Sequence, residues 1–395
     1  MTELQGMTWD HPRGVAPMRA TAALYERARP DVHITWTVRS LQAFGDQSIE
    51  QLAAMYDLLV IDHPFVGAAA RSGCLVPLET HLPEAFLTAQ AHESVGASYA
   101  SYTYDGHQWA LPIDAAAQVA AYRPDVLDAR DLAVPHTWTH VFDLMHVVGG
   151  HHIALPLSPV NAICSFLSLC ANQGIPPGIS GSDPGLLAPR PIEWIALDVL
   201  RRFVAEGHPE SLHLDPPGML ERMAHSDDIV YSPLVFGYSN YARPGYAPHL
   251  CRFANIPAIG DNAAPHGAIL GGTGLAVSAA CQALPAACAY VQWVADEGRQ
   301  RTVYVESGGQ PGNRRAWTDP VVNGATSRFF LDTLDTLDHA YLRPRHDGFI
   351  PFQDQAGLVI HDYLRVGGDA QETLDILDAL YRDSTTVANG TVANG

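Results

Sequence analysis

Two segments of this chain share one pattern: an apolar stretch, then Asp-His-Pro, then a helix-forming sequence. The first is Gly6-Met-Thr-Trp-Asp-His-Pro-Arg-Gly14 and the second is Asp57-Leu-Leu-Val-Ile-Asp-His-Pro64. Each is typical of a strand that delivers polar side chains into a turn before a helix. In open α/β sheets, ligands bind beyond the carboxyl ends of the strands. The repeated pattern therefore predicts one ligand crevice to which both turns contribute.

The elements around these segments follow the order expected of a parallel sheet covered by helices. Apolar spacing predicts strands at 7–9, 33–38 and 57–61, with helices at 15–28 and from 49 onward. The run at 57–61 is continuously apolar, as in a parallel strand buried on both faces. The βαβαβ order therefore indicates an α/β fold.

Downstream signals predict a second α/β region. Asp105-Gly106 is a hairpin turn signal, and a strand that crosses between lobes is expected from Leu111. The second region begins at 151 with a strand. Further predictions are helices at 161–173, 192–205, 217–225 and 285–300, strands at 229–231 and 271–277, a surface loop at 174–191 and a disordered tail at 385–395.

The composition excludes several classes of function. A chain of 395 residues fits two lobes of ordinary domain size. Its formal net charge of -19, with 23 Lys and Arg in all, argues against a nucleic-acid partner, because phosphate binding needs clustered cations. No run approaches the roughly 20 apolar residues of a membrane span, so no membrane insertion is expected.

The N-terminus and the cysteines lead us to expect a cytoplasmic protein. Met-Thr-Glu-Leu-Gln-Gly lacks the basic and apolar regions of a signal peptide. A periplasmic or lipid-anchored location would require that a signal sequence had been removed. The six cysteines form no Cys-x-x-Cys motif and are predicted to be free thiols, most of them in apolar helices.

Further segments complete a resemblance to a known family. They are Tyr56-Asp-Leu-Leu-Val-Ile-Asp62, Gly73-Cys-Leu-Val-Pro-Leu78, Ser101-Tyr-Thr-Tyr-Asp-Gly-His-Gln-Trp-Ala-Leu-Pro-Ile-Asp114, Pro135-His-Thr-Trp138, Gly271-Gly-Thr-Gly-Leu-Ala-Val-Ser278 and Ser307-Gly-Gly-Gln-Pro-Gly312. In their order and spacing they resemble family 1 extracellular solute-binding proteins. That group includes maltose-binding and other sugar-binding proteins of ABC transporters.

The resemblance implies a two-lobed, periplasmic-binding-protein-like α/β fold of type II, with a ligand cleft between lobes joined by hinge crossings. The crossings would fall near Pro112, Leu270 and Pro311. Lobe 1 would then contain 1–110 and 270–312, and lobe 2 would contain 113–268 and 313–395. The resemblance also implies a monomer without a cofactor, with a small-molecule ligand and, if exported, an ABC permease as partner. A cytoplasmic enzyme built on the same fold is the alternative.

The first group of candidate ligand contacts follows the strands of the first lobe. Asp10, His11 and Arg13 are predicted at a helix N-terminus, which favours an anion, and His63 contributes from the neighbouring strand. The alternative is that Asp10 caps the helix and Arg13 is solvated.

Two carboxylates and the return strand add to this group. In sugar-binding relatives, carboxylates at places equivalent to Asp62 and Asp114 accept hydroxyl hydrogen bonds. An N-cap or a hinge hydrogen bond is the alternative for both, and the pair could also do acid/base work. Gly272 and Thr273, on the predicted return strand, are further candidates.

The second group is aromatic. The segment 231–241 carries four aromatic side chains and an amide that suit stacking on a sugar or a flat organic ligand, and Trp9 is a further candidate; packing of the tyrosines is the alternative. The members of the segment are Tyr231, Phe236, Tyr238, Asn240 and Tyr241. Together the two groups predict a small, polar, oxygen-rich and anionic ligand. No metal is expected, because His146, His151 and His152 match no ligand spacing, and no catalytic residue can be assigned.

Overall fold

The computed structural model describes residues 1–40, 47–178, 186–260 and 264–389. The chain divides into two compact units. Unit 1 is Met1–Ala116 with Gly271–Gly324, and unit 2 is Ala117–Leu270 with Ala325–Gly395. The chain thus passes from one unit to the other three times. The last passage lies at 324/325, so residues 313–324 group with unit 1, whereas the sequence-based boundary near Pro311 assigned them to lobe 2.

Nine strands are present in the described residues, and β6 begins in unit 1 and continues into unit 2. In chain order they are β1 (Thr2–Trp9), β2 (Val32–Arg39), β3 (Leu58–Ile61), β4 (Thr103–Tyr104), β5 (His107–Gln108), β6 (Leu111–Tyr122), β7 (Tyr231–Phe236), β8 (Arg252–Ala254) and β9 (Leu270–Val277). In unit 1, β1 pairs in parallel with β2 and β3, and β9 pairs antiparallel with β3. In unit 2, β6 pairs antiparallel with β7 and β8.

Seventeen α-helices, many of them short, cover these strands within the described residues. They are α1 (Pro12–Ala28), α2 (Ile49–Met55), α3 (Val66–Ser72), α4 (Glu84–Glu93), α5 (Ser98–Ser101), α6 (Pro124–Ala129), α7 (Trp138–Val148), α8 (Pro159–Asn172), α9 (Arg190–Glu206), α10 (Pro216–His225), α11 (Leu284–Ala295), α12 (Glu297–Arg299), α13 (Arg314–Thr318), α14 (Pro320–Ala325), α15 (Phe329–Asp338), α16 (Phe349–Val366) and α17 (Ala370–Asn389). None of the described helices is long and apolar enough to cross a membrane.

Helix starts in this chain follow ordinary capping chemistry. Asp215 accepts a hydrogen bond from the backbone N–H of Gly218 at 2.8 Å, with Pro216 as the first residue of α10. Ser48 caps α2 in the same way by accepting from Gln51. A side-chain oxygen satisfies an otherwise unpaired N–H, and proline has no N–H to lose at the first position.

The core of unit 1 explains why the strand at 57–61 could be recognised from sequence. All four side chains of β3 are buried, and Leu59 and Ile61 pack in one cluster with Met7 of β1 and Leu52 of α2. Both faces of this strand are covered by protein, so a continuous apolar sequence is required.

The core of unit 2 is built on α8, which is buried along nearly its whole length. It lies against α16, where Gly357 allows close approach. A Cβ atom at Gly357 would lie 2.5 Å from the carbonyl oxygen of Pro159. Glycine at this position therefore sets how closely the two helices pack.

Several predicted elements are confirmed, with bounds that differ from those expected. The Asp105-Gly106 turn joins β4 to β5, and both residues have positive φ angles, 50° and 79°. The return strand is present as β9. The predicted helix at 285–300 ends at Ala295 as α11 and is followed by α12 and a π-helical turn, Gln300–Tyr304. The predicted loop at 174–191 lies partly outside the described residues, and α9 already begins at Arg190.

Three predictions are corrected. The strand expected at His151 and His152 is a 3-10 turn, Gly150–His152. The strand expected at 229–231 begins only at Tyr231 and runs to Phe236. The tail predicted from 385 is helical through Asn389 as the end of α17, while 390–395 lie outside the described residues. In each case the local sequence pattern did not reveal the type or the end of the element, which depends on tertiary packing.

Candidate functional site

The turn between β1 and α1 is built around His11. The Asp10 N–H donates to the carbonyl of Arg39 at 2.7 Å, which continues the pairing of β1 with β2. His11 has extended backbone angles, and its Nδ1 accepts a hydrogen bond from the N–H of Arg13 at 3.0 Å. Pro12 is the first residue of α1. The helix cap is therefore His11 and not Asp10, and α1 begins three residues earlier than expected.

Trp9 lies at the centre of a small cluster in this turn. Its ring stacks with the His11 ring at a centroid separation of 5.5 Å and an angle of 13°. The guanidinium of Arg13 lies 5.7 Å from the centroid of the same indole. Gly14 leaves room for this arrangement, since a Cβ atom there would lie 2.5 Å from the indole. A larger residue at position 14 would therefore displace the Trp9 indole.

Arg13 forms a buried ion pair with Asp114 of β6. Arg13 is 4% exposed and Asp114 is 2% exposed. The Arg13 Nε donates to Asp114 Oδ2 at 2.9 Å, and a second guanidinium N–H donates to Oδ1. The backbone N–H of Gln310 also donates to Asp114 Oδ2, at 3.3 Å. The Arg13 side chain is therefore not solvated, and its charge is balanced by a carboxylate of the same unit.

The protonation of His11 follows from its surroundings. Burial, and secondly the positive charge of Arg13, lower the pKa of His11 to about 4. The ring is consequently neutral at pH 7. It supplies a hydrogen-bonding edge and an aromatic face, but no positive charge.

Asp62 and His63 lie at the same edge of the unit 1 sheet. β1 and β3 are parallel neighbours with Met7 opposite Leu59, so the turns after both strands meet there. Asp62 caps the short 3-10 turn His63–Phe65 by accepting from the His63 N–H at 2.8 Å, and it stays partly exposed. His63 is buried, with its ring edge-on to Tyr102 at 6.4 Å. Asp62 is thus an N-cap, as the alternative interpretation had it, and part of its carboxylate remains exposed to solvent.

Gly272 and Thr273 of β9 reach the same edge, because β9 runs antiparallel to β3. Gly272 has a φ angle of 99°, and a Cβ atom there would overlap the backbone of Asp114. The Tyr102 hydroxyl donates to the carbonyl of Ile61 at 3.2 Å, below this edge. Gly272 is therefore required by backbone packing, and Thr273 is half-buried.

An open depression of about 640 Å³ lies along the first turns of α1. Asp10 and His11 lie at one end of its lining and Arg19 lies farther along the helix. The sequence analysis did not select Arg19. Arg19 follows Pro12 and Val15 at helical spacing on one face of α1, and this pattern could have identified it from the sequence.

The aromatic group lies in unit 2, along β7 and just after it. Tyr231 and Phe236 are the two ends of β7, and they pair with Tyr122 and Gln118 of β6 on either side of a bulge. Tyr231 is fully buried, and burial raises the pKa of its hydroxyl. Tyr231 therefore packs in the interior of the protein, as the alternative interpretation of the tyrosines had it. Phe236 remains partly exposed.

Tyr238, Asn240 and Tyr241 follow in and beside the 3-10 turn Ser239–Ala242. The Tyr241 hydroxyl donates to Glu221 Oε2 at 3.0 Å, so its polar atom is used inside unit 2. Asn240 is 3% exposed, and its Oδ1 has no hydrogen-bond partner among the described residues. A buried acceptor without a donor is costly, so Asn240 is the member of this group best suited to receive a donor from a ligand.

The three histidines considered for metal binding have other contacts. His146 Nδ1 lies 2.7 Å from the carbonyl oxygen of Phe142, and His152 Nδ1 lies 2.9 Å from that of Asp228. The rings of His151 and His152 are 4.1 Å apart. Across the described ranges, no group of three or more His, Cys, Asp or Glu side chains is arranged to hold a metal ion.

The mixed α/β architecture is that of the two-lobed periplasmic-binding-protein-like fold. Residues 9–155 match the family model described as bacterial extracellular solute-binding protein. No curated protein matches the sequence. The family match and the fold confirm the resemblance to solute-binding proteins found in the sequence.

Solved structures with the same fold cover almost the whole chain. One is an ABC transporter solute-binding protein from Agrobacterium radiobacter K84 in complex with ribitol, with 20% identity, a TM-score of 0.80 and coverage of 97% of this chain and 98% of that chain. A second is maltose-bound MalE3 of T. maritima, with 16% identity, a TM-score of 0.81 and coverage of 98% and 100%. A third is a solute-binding protein from Thermotoga lettingae TMO bound with α-D-tagatose, with 15% identity, a TM-score of 0.82 and coverage of 97% and 100%.

Proposed function

We propose that this protein binds a sugar or a sugar alcohol and serves as the solute-binding component for an ABC permease. The observation that carries this proposal is the family match over residues 9–155, because that segment contains every candidate contact of unit 1 that precedes β9. The structures with the same fold that are described above hold ribitol, maltose and α-D-tagatose. All three molecules are neutral and rich in hydroxyl groups.

In unit 1, the proposed contacts are Trp9, Asp10, His11 and Asp62. Asp10 is exposed and Asp62 partly exposed, so both carboxylates can accept hydrogen bonds from hydroxyl groups. The His11 ring lines the depression and stacks on the buried Trp9 indole, which gives a flat face of the kind that sugar rings contact. This combination of acceptors and a flat apolar face supports a polyhydroxy ligand.

In unit 2, the proposed contacts are Phe236, Tyr238 and Asn240. Phe236 supplies partly exposed aromatic surface at the end of β7, and the buried Tyr238 follows two residues later. Asn240 supplies an amide oxygen that lacks a donor within the described part of the chain. A ligand hydroxyl would satisfy this oxygen, which supports the choice of a ligand with several donors.

Charge favours a neutral ligand over the anionic one expected from sequence. The charge of Arg13 is balanced by Asp114, and the low pKa of His11 leaves that ring uncharged at neutral pH. Asp10 places a negative charge beside the same depression, and Arg19 is the cation along its wall. An anionic group on the ligand would therefore depend on Arg19, and we propose a ligand without one.

The enzyme alternative receives less support than binding. A catalytic pair made from Asp62 and Asp114 would need both carboxyl groups available to a substrate. Asp114 is held by two N–H groups of Arg13 and by the backbone N–H of Gln310, and Asp62 caps a turn. The carboxylate of Asp114 is thus engaged within unit 1 and is not available to a substrate.

Thermal shift and calorimetry with matched ligands test the proposal. The panel contains ribitol, mannitol, α-D-tagatose and maltose, with gluconate and glucose 1-phosphate as anionic counterparts. A ligand that binds the folded state raises the melting temperature in a concentration-dependent way. We expect at least one neutral compound to do so and the anionic counterparts to act more weakly. Stabilisation by the anions alone would instead support the anionic ligand, and turnover of any compound would support the enzyme.

A further inference from the structure

Arg13 connects the turn before α1 to a part of unit 1 that is distant in sequence. Its guanidinium binds the carboxylate of Asp114, which lies 101 residues away on β6. Its backbone N–H donates to the His11 ring, and its guanidinium lies against the Trp9 indole. The ion pair, the helix cap and the ring cluster therefore share one residue.

The Asp114 end of this connection is itself fixed. The carboxylate of Asp114 accepts a hydrogen bond from the backbone N–H of Gln310. The backbone N–H of Ala115, the next residue of β6, donates to the carbonyl oxygen of Gln310 at 2.8 Å. The side-chain amide of Gln310 donates to the carbonyl oxygen of Ala115 at 3.1 Å. Asp114 is thus a rigid anchor, and Arg13 links the start of α1 to it.

We propose that Arg13 is a positioning residue for solute binding, which holds the Trp9 and His11 rings in the orientation that the ligand meets, with Asp114 as its anchor. This inference rests on the proposed function. Arginine suits the task better than lysine because its planar, forked guanidinium can pair with a carboxylate through two N–H groups and at the same time lie against an indole. Arg13 itself makes no contact with the ligand in this proposal.

A purely structural role for the ion pair predicts different behaviour in a double variant. Removing one partner leaves a buried, unpaired charge, so R13M and D114N are each expected to lower the melting temperature. R13M/D114L removes both charges together and replaces them with apolar side chains of similar length. Such replacements often restore or raise stability. The double variant therefore separates the stability of unit 1 from the orientation of its rings.

The experiment measures the melting temperature and the affinity for ribitol, maltose and α-D-tagatose in R13M/D114L. R27M is the matched control, because Arg27 lies on the same helix, is exposed and carries the same charge. We expect the double variant to melt near the wild-type temperature while its affinity falls at least about tenfold, and R27M to retain both. R13K should retain the charge but recover the affinity only in part. Wild-type affinity in the double variant would overturn the proposal.

A second measurement keeps the inference testable if none of these compounds binds the wild-type protein. In protein labelled with 5-fluorotryptophan, the Trp9 signal is assigned by its absence in W9F. We expect this signal to shift in R13M/D114L and to stay unchanged in R27M. An unchanged Trp9 signal in the double variant would refute the positioning role. Lack of binding by the wild-type protein would refute the proposed function alone.

Discussion

Arg190 at the start of α9 donates to Asp378 of α17 at 2.7 Å, and the carboxylate is 2% exposed. The same guanidinium also binds the fully buried Glu193 and the exposed Asp375 of α17. Three carboxyl groups therefore share one cation. The cluster joins the first turn of α9 to the last helix of unit 2.

The first prediction concerns stability at alkaline pH. Burial, and secondly the charge of Asp378, raise the pKa of Glu193 to about 8. Because this folded-state pKa lies above the ordinary value near 4.5, the protonated group stabilises the fold at low pH. That stability is lost as the pH rises through about 8, by up to about 1.4 kcal/mol per pH unit. Urea unfolding of E193Q between pH 5 and pH 9 should show a flatter profile than the wild-type protein.

The control for this prediction is E206Q, because Glu206 lies on the same helix and is partly exposed. Its profile should follow that of the wild-type protein. Parallel profiles for E193Q and the wild-type protein would mean that Glu193 takes up no proton on folding.

The second prediction concerns acid. Since the pKa of His11 is lowered to about 4 in the folded state, the unfolded chain binds a proton more readily below about pH 6.5. The contribution of His11 is complete above that pH and is lost as the pH falls towards 4, by about 3 kcal/mol in all. H11N keeps a side-chain acceptor for the cap but cannot titrate. Its stability should therefore vary less than that of the wild-type protein between pH 7 and pH 4, and equal pH dependence would contradict the assignment.

The third prediction concerns Gly14. A methyl group there would meet the Trp9 indole at 2.5 Å, so G14A should displace the indole and destabilise the protein by about 1–3 kcal/mol. G324A is the control, because no atom lies within 4 Å of a Cβ at Gly324 in α14. It should be neutral or stabilising by up to about 1 kcal/mol. Denaturant unfolding measures the stability of both variants. Equal stability would show that the Trp9 indole can move without cost.

The fourth prediction concerns Asn240. Since its Oδ1 has no donor in the described structure, N240A should cost little stability but weaken binding of a neutral polyol about tenfold or more. Y241F is the matched comparison. It removes a hydrogen bond to Glu221 within unit 2 and should cost about 1 kcal/mol of stability with little change in affinity. Calorimetry measures the affinity of both variants and denaturant unfolding their stability. An affinity loss in Y241F and a stability loss in N240A would contradict the prediction.

The fifth prediction concerns the thiols. None of the six cysteines, all of which lie in the described residues, forms a disulfide, and all except Cys74 are buried. Burial raises the pKa of Cys251 and Cys281 to about 12 and that of Cys288 to about 11, which suppresses the reactive thiolate. Thiol titration should give six groups in denaturant and at most one fast group, that of Cys74, in the native protein. A count below six in denaturant would reveal a disulfide.

The sequence by itself determined the elements whose signals are local. The continuous apolar run of β3 reflects burial on both faces, and the turn at Asp105 and Gly106 follows from residues that tolerate positive φ. The order of strands and helices then predicted the fold class, because parallel neighbours require helical crossovers. Patterns carried by adjacent residues can be read without knowing what the segment packs against.

Only the tertiary structure decided the chemistry of individual side chains. Nothing near Arg13 in sequence indicates that Asp114 balances its charge, so the expectation of an anion at this turn could not be checked from sequence. Tyr231 and Phe236 look equivalent in the sequence, but the fold buries Tyr231 completely and leaves Phe236 partly exposed. The charge and accessibility of a side chain depend on partners brought together by chain topology, and in this protein those partners lie up to about a hundred residues away.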